Sequence, residues 1–274
     1  MKNKISVKLV GPGEIVPGFH NFGLCNQMFQ IAAAISYAWD NDFDAIFPVL
    51  KDKNKYGTYT NNIFRKLNIE NELPREHGSA SYGLFKEEGF LYNPIPKRDQ
   101  SFIIHDSYLQ SEKYFCHNRD LILDLFEARE KDIEYLMKKY GEVIEKENTV
   151  SCHIRRGDYI KLKTSHIPLW ESDYYKNALD EFDDPFLIIF SDDIEWCKEY
   201  FSNEKILFVE EEDYLELYLM SMCKNNIIAN SSFSWWGAWL NKNSNKKIIA
   251  PSQWFGPEHV VTDNDLVPEK WIVI

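Results

Sequence analysis

The sequence contains no CxxC pair, and its five cysteines (Cys25, Cys116, Cys152, Cys197, Cys223) are scattered and odd in number. That pattern argues against a disulfide framework or a zinc site and for reduced thiols in a cytoplasm. No stretch reaches the ~18 apolar residues of a membrane span. Behind Met1-Lys2-Asn3-Lys4 there is no apolar core of about 7–15 residues, so no signal peptide is evident. The GxGxxG fingerprint is absent, and with it the support for a dinucleotide cofactor. An excess of positive charge is also lacking: 31 Lys and Arg stand against 43 Asp and Glu, a formal net charge of −12. Duplex nucleic acid, which demands a basic face, is therefore excluded as the main partner. The chain shows no internal repeat and no low-complexity tract.

What is present is enough apolar material for two ordinary domains or one large one: 274 residues, 44% hydrophobic and 15% aromatic. Residues 5–10 alternate as a strand, and the glycines and prolines at 11–18 mark a loop. Met28–Trp39 follows as an Ala-rich amphipathic helix, with apolar positions 28, 31, 32, 35, 38 and 39 and Asn26 where an N-cap would sit. Strand, glycine-containing loop and helix form the opening unit of a Rossmann-like domain. Asp44–Pro48 reads as the next strand and 51–62 as loop. Residues 103–115 read as a strand ending in a polar turn before a helix start, and 119–146 as helical. Glu147-Asn148-Thr149 is the expected junction, giving domains 1–148 and 149–274. Beyond it, strands at 149–154, 186–190, 206–209, 226–229 and 247–250 alternate with helices near 173–181, 194–201, 213–223 and 233–241. Such alternation builds a parallel sheet with helices on both faces.

Ligands bind such sheets beyond the carboxyl ends of the strands, and three polar signatures fall there. The first is His153-Ile154-Arg155-Arg156-Gly157-Asp158. Adjacent arginines are costly to bury without an anion, and their planar donor forks suit phosphate oxygens. A solvated strand end is the plainer alternative. The second is Ser191-Asp192-Asp193, which serves either as a helix cap with an acidic first turn or as a carboxylate reading the paired N–H groups of guanine. A two-carboxylate metal site is a third option, ranked last because the double arginine already supplies positive charge. The third is Asn230-Ser231-Ser232, opening a helix whose free N–H groups and dipole favour phosphate. Asn26 and Gln27 are either capping residues or ligand-facing side chains at the mouth of the first domain. Trp235 and Trp239, one turn apart, belong in the core. His153 is either a catalytic base or a packed histidine, with packing favoured.

HIRRGDY (153–159), FGLCNQMFQ (22–30), YLQSEKYF (108–115), IFSDD (189–193), LYLMSMCKNNIIANSSFSWWGAWLN (217–241) and IAPSQWF (249–255) occur together in the sequence. This set resembles the bacterial α-1,2-fucosyltransferases of glycosyltransferase family 11. The resemblance implies a GT-B-like α/β fold, two Rossmann-like domains with the active site in the cleft between them. It implies a GDP-β-L-fucose donor, a galactoside 2-hydroxyl as acceptor, inversion to an α linkage, and no metal or other cofactor. By similarity, Arg155 would hold the diphosphate and neutralise the leaving GDP, while Arg156 and His153 would shape that loop. Asp192 or Asp193 would read guanine. Ser231, Ser232 and Phe233 would line the diphosphate and nucleoside, and Asn26 and Gln27 would face the cleft from the first domain. Asp158 is the candidate general base, with orientation of an arginine as its alternative role. The expected partners are GDP-fucose and a galactose-containing oligosaccharide or glycolipid. The expected place is cytoplasmic, with peripheral attachment to the inner face of the membrane left open. The sequence departs from the family where a long loop (10–21) precedes Phe22 and Cys25, positions usually held by glycine, and where Glu216 stands in place of a common Asp.

Overall fold

The computed structural model describes residues 2–7, 23–48, 59–70, 83–88, 91–202, 205–258 and 265–274. The chain divides into two compact units: unit 1 is 1–127 with 264–266, and unit 2 is 128–263 with 267–274. The boundary lies about twenty residues before the junction expected at 147–149. The intervening helix bonds to unit 2: Arg129 donates to Tyr214 Oη (3.3 Å), and Tyr140 Oη donates to Glu211 (2.7 Å). A charged, weakly apolar helix does not declare its partner in sequence, which is why the boundary is misplaced.

In unit 1, β1 (Lys4–Val7) leads to α1 (Leu24–Asn41), β2 (Asp44–Ala45), β3 (Phe47–Pro48), β4 (Ile69–Glu70), β5 (Gly83–Phe85), β6 (Phe102–Ile104) and α2 (Arg119–Leu125). Four strands form a parallel sheet in the order β2-β1-β6-β5, and β3 pairs with β4 apart from it. The single strand expected at 44–48 is thus broken at Ile46, whose N–H goes back to Ile5 O (2.9 Å). Helix α1 starts earlier than expected. Gly23 occupies the cap position, without a side-chain cap, and Asn26 lies in the first turn. Thirteen of its 18 residues are buried, so it is enclosed on more than the one stripe its periodicity predicts. Trp39, counted on the apolar stripe, is instead 69% exposed. The loop at 10–21 lies outside the described residues.

In unit 2, α3 (Glu130–Ile144) precedes β7 (Thr149–Ile154), α4 (Tyr174–Asp180), β8 (Phe186–Ser191), α5 (Ile194–Tyr200), β9 (Ile206–Val209), α6 (Asp213–Met222), β10 (Asn225–Ile227), α7 (Ser232–Trp239), β11 (Ile248–Ala250) and β12 (Ile272–Val273). Every predicted strand and helix of this half is found within a few residues. All six strands are parallel, in the order β9-β8-β7-β10-β11-β12. Counted from β7 this is 3-2-1-4-5-6, the doubly wound order, with its topological switch point between β7 and β10. The continuous apolar run of β8 suits a strand covered on both faces. Behind the sheet, α6 and α7 meet closely. A Cβ on Gly237 would lie 2.8 Å from Met220 Cβ and Sδ, so glycine is what lets the helices approach. Trp235 and Trp239 stack at 6.2 Å in the core, as expected.

Candidate functional site

The carboxyl ends of β7, β8 and β10 carry the predicted signatures to one place. Strand β7 delivers Arg155 and Arg156, and its register with β8 sets Ile154 opposite Ser191, so Asp192 and Asp193 emerge beside them. Arg155 Nη1 pairs with Asp192 Oδ2 (2.8 Å), its Nη2 pairs with Asp158 Oδ1 (2.7 Å), and its guanidinium lies over the Tyr159 ring (5.3 Å). Arg156 donates its backbone N–H to Asp192 Oδ1 (2.8 Å) and its Nη1 to Asp193. Its guanidinium lies 4.8 Å from the Trp196 ring and 6.0 Å from that of Trp170. The two arginines therefore differ. Arg156 is wedged among aromatics with only 21% of its side chain exposed, whereas Arg155 keeps 32% and is held by carboxylates alone on its polar edge. Arg156 Nε, buried, has no hydrogen-bond partner. Gly157 is required by crowding: a Cβ there would sit 2.5 Å from Asp192 Oδ2.

Both Asp192 oxygens are thus engaged by the arginine loop. Asp193 caps α5 by accepting from Trp196 N (3.4 Å) while pairing with Arg156. Ser191 is not the cap; it ends β8, and its Oγ accepts from Asp193 N (3.0 Å). Asp158 is placed as the partner of Arg155, the orienting alternative, rather than as an unengaged base. His153 is buried at 5% exposure, its Nδ1 is unpartnered, and burial pushes the pKa of its imidazole down. Its enclosure fits the packed reading. Its ring lies 5.5 Å from that of Phe233.

Across the switch point, Ser231 caps α7 by accepting from Phe233 N (3.3 Å), and Ser232 and Phe233 are half-buried in the first turn. Asn230, 1% exposed, is fixed by its Nδ2 to Ile167 O (3.0 Å) and Trp254 O (2.9 Å), which leaves its Oδ1 unpartnered. Tyr159 Oη donates to Asn230 O (3.1 Å), joining the β7 loop to the β10 loop, and burial pushes that phenol up. The tyrosines of α4 finish the frame: Tyr175 donates to His153 O (3.0 Å) and Tyr174 to Ile228 O (2.6 Å). Tyr159, Trp170 and Trp196 received no role from sequence, because an aromatic looks like any core residue until its partner is known.

In unit 1 the switch point lies between β1 and β6, and it gathers amides. Asn26 Oδ1 accepts from Gln110 Nε2 (2.8 Å), and Gln30 Nε2 donates to Ser107 O (2.5 Å). Asn26 keeps some exposure, whereas Gln27 is buried at 1%, so it is Asn26 that offers accessible surface. In the first turn of α6, Glu216 accepts from Glu211 N (3.0 Å), and burial among further acids pushes its carboxyl up to about 7. Among the described residues no cluster of three or more His, Cys, Asp or Glu side chains could hold a metal ion, and no helix is long and apolar enough to cross a membrane.

Residues 24–274 match the sequence profile of glycosyl transferase family 11. An O-antigen biosynthesis glycosyltransferase, WbnK, of Escherichia coli is 34% identical over 82% of this chain and 76% of its own length. An alpha-1,2-colitosyltransferase of Escherichia coli is 38% identical over 92% of this chain and 96% of its own. Among solved structures, the fucosyltransferase NodZ from Bradyrhizobium aligns over 86% of this chain and 92% of its own, at TM-score 0.53 and 12% identity. That likeness shows the fold: GT-B-like α/β, with two Rossmann-like units.

Proposed function

The chain belongs to glycosyltransferase family 11, and on that premise we propose that it moves L-fucose from GDP-β-L-fucose to the 2-hydroxyl of a galactoside. The reaction inverts the anomeric centre to an α-1,2 linkage and uses no metal ion. The observation that carries this reading is the Arg155–Arg156 pair at the end of β7, facing the capped start of α7 across the switch point. As the bond to GDP breaks, charge grows on the β-phosphate, and a preorganised guanidinium stabilises it where it develops. Arg155, paired with Asp158 and Asp192, turns its remaining donors to the diphosphate. Arg156, immobilised by Asp193 and two tryptophans, keeps the loop in shape. Ser231, Ser232 and the N–H groups of the first turn of α7 take phosphate oxygens, with Phe233 beside the nucleoside. The acceptor sites left on Asp192 or Asp193 read guanine.

The pairing of both aspartates with arginines supports metal independence, since their charge is already balanced. Unit 1 takes the acceptor, a galactose-containing oligosaccharide or glycolipid. A relative named for O-antigen biosynthesis supports a polysaccharide acceptor. A second reading, transfer of colitose in place of fucose, is favoured by the 38% identity to an α-1,2-colitosyltransferase. The deciding experiment incubates the purified protein with GDP-fucose or GDP-colitose and a panel of galactosides, with mass-spectrometric readout and linkage analysis. Fucose on a 2-hydroxyl is expected. Transfer from the colitose donor alone selects the second reading, and no GDP release from either would mean a silent carbohydrate-binding relative.

A further inference from the structure

Glu87, two residues past β5, is 5% exposed and enclosed by donors. Its Oε2 accepts from the backbone N–H groups of Tyr108 (3.1 Å) and Leu109 (2.9 Å), and its Oε1 accepts from Tyr114 Oη (3.1 Å). Its own N–H goes to Ser107 Oγ (2.7 Å), which donates to His105 O (2.8 Å). The segment it grips is an unusual one. Asp106 and Leu109 have φ of 45° and 53°, left-handed values that non-glycine residues rarely adopt and that persist only where surroundings enforce them. The far side of the same segment meets α1: Ser107 O accepts from Gln30, and Gln110 reaches Asn26 Oδ1. With that oxygen taken, Asn26 presents its Nδ2 as donor. A carboxylate suits the grip because it accepts at every lone pair and can take two N–H groups and one O–H together.

We propose that Glu87 is a positioning residue for glycosyl transfer: its carboxylate holds the Asp106–Gln110 segment so that Gln110 orients Asn26 toward the acceptor sugar. The inference rests on the reading that unit 1 takes the acceptor. It makes Glu87 act through Gln110, so the two residues are coupled. Removing the carboxylate strands two backbone N–H groups and frees a segment that is otherwise disfavoured. Glutamine, by contrast, keeps an oxygen for Tyr108 and Leu109 and turns its amide toward Tyr114 Oη, which can accept.

The test compares wild type, Glu87→Ala, Glu87→Gln, Gln110→Ala and the double alanine variant. The readouts are acceptor kcat and KM, donor hydrolysis without acceptor, and the thermal shift given by GDP. Misplacement of a substrate-positioning group costs on the order of 10- to 100-fold. That loss is expected in acceptor kcat/KM for Glu87→Ala and for Gln110→Ala, with donor hydrolysis and the GDP shift retained. The double variant is expected to be no worse than the poorer single one, and Glu87→Gln to recover most of the activity. Normal acceptor kinetics in Gln110→Ala, additive losses in the double variant, or equal loss of hydrolysis and transfer would overturn the proposal. If Glu87→Ala does not fold, Gln110→Ala and Glu87→Gln still decide it. A wild type that transfers to no galactoside refutes the function reading instead, an outcome distinct from any pattern among the variants.

Discussion

The two sheets of this chain place different chemistry at equivalent positions. Where unit 2 changes winding direction, between β7 and β10, the loops bring Arg155, Arg156, Asp158, Asp192 and Asp193 into one ion-paired set. Where unit 1 does so, between β1 and β6, the loops bring Asn26, Gln30, Ser107 and Gln110 into a neutral amide network. The same parallel architecture serves both, so the difference lies wholly in the side chains at the strand ends. A charged set with arginine forks suits an anionic leaving group, while amides suit the hydroxyls of a neutral sugar. On the proposed reading, the charged set serves the nucleotide and the amide set the carbohydrate.

The sharpest way to break this contrast is at Arg155. Arg155→Lys should fail almost as badly as Arg155→Ala, because an ammonium offers a point charge where the guanidinium gives parallel hydrogen bonds. A loss of about 10²–10³-fold in kcat is expected, with donor KM changed less because Arg156 and the start of α7 remain. Steady-state kinetics on variants checked by circular dichroism would show it, and a folded Arg155→Lys enzyme with near-normal kcat would make the arginine merely structural.

Nucleotide binding should belong to unit 2 and to guanine. GDP at about 100 times its Kd stabilises a folded protein by about 2.7 kcal/mol, and UDP and ATP should shift the melting temperature far less. Equal shifts for GDP and UDP would remove guanine recognition from Asp192 and Asp193.

A smaller effect is expected from pH. Glu216 has its carboxyl raised from the usual 4.5 to about 7, first by burial and then by neighbouring acids. The folded state therefore holds a proton that the unfolded chain releases, and the stability this group contributes falls as pH rises from about 4.5 to 7. Glu216→Gln keeps the bond from Glu211 N without the charge. It should raise the melting temperature at pH 8, by an amount equivalent to about 1–3 kcal/mol, and change it little at pH 4.5. The same gain at both pH values would show that titration of Glu216 is not the cause. The smallest expected effect is none: EDTA should leave transfer intact, and loss of activity restored by Mg²⁺ or Mn²⁺ would return the carboxylates to a metal.

The charged half-site was legible because it is local. HIRRGD is one contiguous run, SDD follows a plainly apolar strand, and each sits at a strand end that the 2- and 3.6-residue periodicities locate. The pairing of Arg155 with Asp158, three residues apart, was one of the two roles the sequence offered Asp158, but the packing of Arg156 against Trp170 and Trp196 could not be read, since it depends on which elements meet. The amide half-site was barely legible. Asn26 lies 84 residues from Gln110, and amides are common on any surface. Glu87 gave no signal, because a glutamate in the charged run Lys86-Glu87-Glu88 looks solvated until its burial and its three donors are known.

By itself the sequence determined the alternation of strands and helices in unit 2, the strand ends that carry polar residues, the acidic balance that makes two adjacent arginines conspicuous, and the family motifs. These follow from periodicity and composition, which act over a few residues at a time. Tertiary structure alone decided that α3 joins unit 2, that residues 44–48 break into two strands of different pairings, that Arg155 also pairs with Asp192, and that Glu87 grips a left-handed segment. Each depends on contacts between distant residues, and burial sets both the protonation of a side chain and which donors surround it.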